Sequence, residues 1–236
     1  WSIENFLQSG TLTALVGDGA TGKTYTCLDL ALCVATGKPW LGRNVNQGAV
    51  LIIDEESGHG RMLRRLRQTM LGHNLTKQDE PPIYFITKEG FNLGNNEDVK
   101  SLKTTVKTLD IQLVIIDSLS ATSHGLETKD NGDMRAALTA IQNVAIDQNI
   151  SIIMIHHNNR GGTYSGSHAI RDTADNLFNI SRSDDNLTIK ADKTRDCPED
   201  VIRLNATMDM TETNFRLSLA SETVENAIQN KIIETL

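Results

Sequence analysis

Residues Gly17 to Thr24 read GDGATGKT, a complete G-x-x-x-x-G-K-[ST] pattern, and side chains suited to phosphate chemistry recur downstream of it. Glycine lets a backbone approach phosphate oxygens with no Cβ in the way, so the amides of Asp18 to Thr24 can turn inward around them. Lys23 can then reach the β and γ phosphates of a nucleoside triphosphate, and the Thr24 hydroxyl can ligate Mg²⁺. The binding segment is Gly17, Asp18, Gly19, Ala20, Thr21, Gly22, Lys23, Thr24 and Tyr25. Three further groups each close an apolar run: Asp54-Glu55-Glu56, Asp117-Ser118 and His156-His157. An aspartate in the position of Asp117, after Leu113 to Ile116, holds Mg²⁺ through a water. The acids after residue 53 are candidates to orient or activate an attacking water. Adjacent strand histidines point to opposite faces and rarely chelate one ion, so the pair reads better as a γ-phosphate contact than as a metal site. ATP and Mg²⁺ are the ligands this set would take.

These residues need strands to end beneath them. Thr11 to Val16 is β-prone and Tyr25 to Ala35 helix-prone, which places the glycines on a strand-to-helix turn. Four continuous apolar runs, at 49–53, 83–86, 113–116 and 152–155, read as strands covered on both faces of a parallel sheet. Helical spacing lies between them, in Met62, Leu63, Leu66 and Met70, in Val99, Leu102, Val106 and Leu109, and in Leu138, Ile141 and Ala145. After residue 175 the period changes to two, at 187–191, 202–208 and 215–219. The expectation is an α/β fold with a doubly wound, mainly parallel sheet and antiparallel hairpin strands at the C-terminal edge. Residues 1–219 form the core, and 220–236 read as one helix, either packing on it or opening a following domain.

A length of 236 residues suits one large α/β domain. The net charge of −7 argues against a surface wholly devoted to nucleic acid, though a few placed contacts suffice for binding. There is no membrane-length apolar run, no signal-peptide pattern and no G-x-S-x-G elbow. Cys27, Cys33 and Cys197 lack metal-ligand spacing and read as thiols of a reducing cytoplasm. The run Arg61, Arg64, Arg65, Arg67 reads as a solvated or subunit-facing helix surface.

Taken together, ATGKPWLGR (35–43), VLIIDEESG (50–58), LVIIDSLSA (113–121), DNGDMRAAL (130–138) and HHNNRGGTYSGSHAIRDTAD (156–175) resemble segments of the RecA-like ATPases. Within them the chain looks like the RepA-type hexameric replicative helicase branch, related to the DnaB and KaiC groups. The resemblance implies that Glu56 is the catalytic glutamate, with Glu55 the alternative, and that His157 senses the γ-phosphate with His156 as its companion. It further implies that Lys193 and Arg195, in KADKTRD (190–196), act on the ATP of a neighbouring subunit. A homo-oligomer follows, a hexameric ring with single-stranded DNA in its channel. Ser118 to Gly132, with Lys129, and Asn158 to His168, with Arg160, Gly161, Gly162 and Tyr164, would line that channel. The implied activity is an ATP-driven helicase. The acidic balance and weakly basic loops leave a second reading, an ATP-binding regulator or adaptor that does not move on DNA.

Overall fold

The computed structural model describes residues 1–126, 131–157, 167–195 and 203–220. Its strands are β1 (Thr11–Gly17), β2 (Ala49–Asp54), β3 (Ile83–Thr87), β4 (Ile111–Asp117), β5 (Ser151–His157), β6 (Asn176–Ser183), β7 (Asn186–Lys193), β8 (Arg203–Met210) and β9 (Phe215–Leu219). The helices are α1 (Lys23–Thr36), α2 (His59–Gly72), α3 (Asn96–Thr108), α4 (Asn131–Gln148) and α5 (Ser167–Thr173). All of the strands join one sheet in the order β3-β2-β4-β5-β1-β6-β7-β8-β9. Pairing is parallel from β3 through β6 in that order and antiparallel from β6 to β9.

Continuous apolar runs make these strands because both faces of the sheet are covered. Val50 and Ile52 of β2 and Ile115 of β4 face one layer, packed against α1 and α2 residues such as Leu28, Leu32, Met62 and Leu66. Their neighbours Leu51, Ile53, Val114 and Ile116 face the other, against Leu102, Val106, Leu138 and Ile141 of α3 and α4. Each run therefore feeds two cores at once, and the strand ends stay in register along the rim where ligands bind in such sheets.

One strand escapes a search for apolar runs. β6 is interrupted by Asn176 and Asn179, whose side-chain amides donate to Thr13 Oγ1 (3.2 Å) and Asp192 Oδ2 (3.5 Å). It nonetheless lies parallel beside β1, and Phe178 stacks on Phe6 with centroids 4.7 Å apart. At the far edge β9 curls back over α1 and α2. The approach is close enough that a Cβ on Gly72 would meet the Phe215 carbonyl. Of the helix expected at 220–236, only Ala220 is described, and its amide donates to the Asn205 carbonyl at 3.0 Å beside β8; residues 221–236 lie outside the described residues.

Candidate active site

Strand order β2-β4-β5-β1 carries Glu56, Asp117, His157 and the phosphate loop to one rim. Gly17 pairs with His157, and Asp54 with Asp117. The loop needs left-handed backbone at Ala20 (φ 62°) and Gly22 (φ 89°), and Met208 packs against Gly22. Lys23 opens α1 and is only 3% exposed. Its ammonium folds over the loop, donating to the carbonyls of Gly17 (2.9 Å) and Asp18 (2.6 Å) and to Thr21 Oγ1 (3.4 Å). Burial lowers its pKa, against the opposing pull of Asp117, Asp18 and Glu56. A desolvated cation ringed by neutral oxygens, at a helix N-terminus, has the donor set a polyphosphate requires.

The Thr24 hydroxyl donates to Asp117 Oδ2 at 2.7 Å, which leaves its lone pairs for a cation. Burial pushes the Asp117 carboxyl up to about 6, against the Thr24 hydrogen bond and with further upward pressure from Glu56 and Asp54. A buried carboxylate among other acids is a place where a divalent cation relieves electrostatic cost. These observations fit Mg²⁺ held by Thr24 and Asp117.

The three acids leaving β2 have separate surroundings. Asp54, fully buried, accepts from the amides of Glu56 (3.3 Å), Ser57 (2.9 Å) and Gly58 (2.7 Å), and so shapes the turn into α2. Glu55 accepts from the amides of Glu89, Gly90 and Phe91 at 3.1–3.2 Å and ties down the chain after β3. Glu56 turns into the cleft over the phosphate loop, where its Oε2 lies 3.4 Å from His157 Nε2. Asp54→Ala strands three amides of this turn, so unfolding free energy in urea should fall by roughly 3 kcal/mol. ATP turnover should fall with it, because the turn aims Glu56.

The cleft encloses about 340 Å³ and is bounded by Ala20 to Tyr25, Glu56, His157, α2 and the ends of β6 and β8. His156 is buried on the opposite face of β5 from half-exposed His157, as alternation requires. The Tyr25 hydroxyl donates to Gln68 Oε1 at 2.8 Å, and the Arg65 guanidinium lies 5.5 Å from the Tyr25 ring centroid. Here the arginine run divides: Arg64 and Arg67 face solvent as expected, whereas Arg61 and Arg65 face the cleft. Their i,i+4 spacing just beyond Glu56 was the available signal. Arg182 also borders the cleft. Nothing in the sequence marks it until β6 is known to lie beside β1.

Lys193 and Arg195 sit elsewhere. Lys193 donates to the carbonyls of Arg171 and Ala174, both at 2.6 Å, and Arg195 lies 3.1 Å from Asp175 Oδ1. Both groups are at the end of the sheet where β1 begins, away from their own phosphate loop. Of the first expected channel segment, Ser118, Leu119 and Thr122 are buried, and the Thr122 carbonyl accepts from the Leu93 amide. Ser120, His124 and Gly125 of the same segment are exposed. Lys129, and the second segment from Asn158 through Gly166 with Arg160, Gly161, Gly162 and Tyr164, lie outside the described residues. Ser167 and His168 begin α5. No helix among the described residues is long and apolar enough to cross a membrane.

Residues 1–163 match the family described as AAA domain. The chain is also 25% identical over 147 residues to the DNA repair and recombination protein RadB of Pyrococcus abyssi (strain GE5 / Orsay), an alignment taking in 62% of this chain and 58% of that protein. It thus spans less than two thirds of that relative's length. The family match takes in well over half of the chain and includes the phosphate loop, Glu56, Asp117 and His157, so the chain belongs to the AAA domain family and is a RecA-like P-loop ATPase.

Proposed function

We propose that the chain hydrolyses Mg²⁺-ATP at the boundaries between subunits of an oligomer and couples that hydrolysis to single-stranded DNA, as a helicase-type motor. The observation that carries the catalytic part is Glu56. Of three consecutive acids it alone faces the cleft above Lys23, beside His157. In this reading Glu56 accepts the proton of the attacking water, and His157 holds Glu56 in place and contacts the γ-phosphate. Lys23 exchanges its loop carbonyls for phosphate oxygens, and the loop amides bind the rest of the chain of phosphates. Thr24, and Asp117 through water, would hold Mg²⁺, which would supply charge neutralisation to the phosphates. Arg61, Arg65 and Arg182 add positive charge on the near wall. The trans contribution rests on Lys193 and Arg195, which are too far from their own loop to serve it.

Single-stranded DNA should raise the steady-state ATPase rate severalfold, and the effect should weaken as salt is added, because phosphate contacts release counterions. A rate indifferent to DNA at low salt would instead support the ATP-binding regulator. A second form of the same motor is a filament on DNA rather than a ring, and the relative's name, DNA repair and recombination protein, bears on the DNA partner alone. Electron microscopy with ATP separates the two, since a heterologous interface closes into a ring or continues as a helix.

A further inference from the structure

We propose that Asp29, Cys33 and His73 form a zinc site, separate from the nucleotide cleft, that clamps α1 and α2 to the edge strand β9 and keeps one coordination position open to solvent. The three side chains are buried, and each offers one ligand atom within 4.8 Å of the others. Asp29 and Cys33 are one helical turn apart on α1, so they project from the same face. His73 follows the last turn of α2, where its backbone amide is held by the carbonyls of Thr69 and Met70. The sequence shows no ligand motif because the third ligand is distant and the first is an aspartate.

The surroundings have the features of a built site. Asp29 Oδ1 lies 2.7 Å from His73 Nε2 and accepts from the Leu217 amide of β9 at 3.1 Å. Lys38 donates to the His73 carbonyl at 3.2 Å, fixing the ring's base. All three ligand residues open onto a cleft of about 410 Å³, with Lys38 and Arg216 on its walls, which supplies an entry path. One sulfur, one nitrogen and one oxygen suit Zn²⁺ better than Mg²⁺ or Ca²⁺, which take oxygen alone. Thiolate and carboxylate together cancel the charge of the ion, so the loaded site is neutral in its buried position.

On binding, the Cys33 thiol gives its proton to solvent and a sulfur–zinc bond forms. The proton between His73 Nε2 and Asp29 leaves to solvent and the imidazole carries its proton on Nδ1, so the neutral ring binds through the Nε2 lone pair. Asp29 and His73 must part by about half an ångström to meet tetrahedral ligand spacing, which terminal side-chain rotations supply. The fourth position faces the cleft, where Lys38 and Arg216 favour an anionic donor. Cys33 lies ten residues beyond Lys23 on α1, about 15 Å along the helix, so this metal is not the one that serves ATP.

Cobalt titration of chelator-treated protein tests the site. The expected result is one Co²⁺ per chain with a thiolate charge-transfer band in the near ultraviolet and tetrahedral bands in the visible. The band should vanish in Cys33→Ser and persist in Cys27→Ser, and Zn²⁺ should displace the cobalt and raise the melting temperature of the parent protein. His73→Gln keeps a polar partner for Asp29 and should bind Co²⁺ at least about tenfold more weakly. Absence of the charge-transfer band, its survival in Cys33→Ser, or undiminished cobalt affinity in His73→Gln would each overturn the proposal.

Discussion

Glu56→Gln lowers kcat for ATP hydrolysis by about 10²–10⁴ while leaving ATP affinity nearly unchanged, the loss characteristic of a missing general base. The substitution keeps side-chain size and leaves a polar partner for His157, now 3.4 Å away, so the cleft retains its shape. Nothing that holds the ground-state phosphates is touched, since Lys23 and the loop amides do that. Glu55→Gln is the matched control. Its carboxylate accepts three amides across the strand ends, and the amide side chain weakens those charge-assisted bonds at a cost of about 1–2 kcal/mol in stability, with far less effect on turnover. Single-turnover rates and nucleotide affinity measured on both variants separate the roles. If Glu55→Gln lost more turnover than Glu56→Gln, the assignment of the base would be reversed.

Periodicity made the central sheet legible because β2, β4 and β5 are apolar on both faces, and a continuous run has no other comfortable position than the middle of a parallel sheet. It failed at β6, where Asn176 and Asn179 are satisfied laterally by Thr13 and Asp192, partners that only the fold brings near. The nucleotide site was legible for a related reason: its chemistry sits at strand termini, one to three residues past each apolar run. Pattern could not tell Glu55 from Glu56, since both leave the same strand. The distinction comes from the amides of Glu89 to Phe91, contributed by the chain just after the neighbouring strand β3. Arg65 escaped because a basic helix face looks alike whether it meets water or phosphate. Asp29, Cys33 and His73 escaped because their meeting depends on how α2 ends against α1.

Arg195→Ala should reduce kcat by about 10³ or more, some 4 kcal/mol in barrier, without unfolding the chain. Arg195 cannot reach its own phosphate loop. It pairs with Asp175, whose other oxygen accepts from the Leu12 amide at the start of β1. Leu12 precedes Gly17 by five residues, or about 16 Å along a strand, more than twice the reach of an arginine side chain. Any ATP phosphate it touches therefore belongs to another subunit. Loss of the pair leaves Asp175 with the Leu12 amide and with Gln142 Nε2 at 2.9 Å, so the carboxylate is not orphaned. The exposed half of this ion pair contributes about 1 kcal/mol at most. Mixing gives the decisive reading. Arg195→Ala and Lys23→Ala proteins are each inactive alone, the first lacking the donated arginine and the second a working phosphate loop. In a random equal mixture, about a quarter of heterologous interfaces join an intact loop to an intact arginine, and about a quarter of the parent activity should return. Mixed protein that stays inactive, or Arg195→Ala protein that hydrolyses ATP normally once assembled, would remove the arginine from the reaction and leave it as a brace for Asp175.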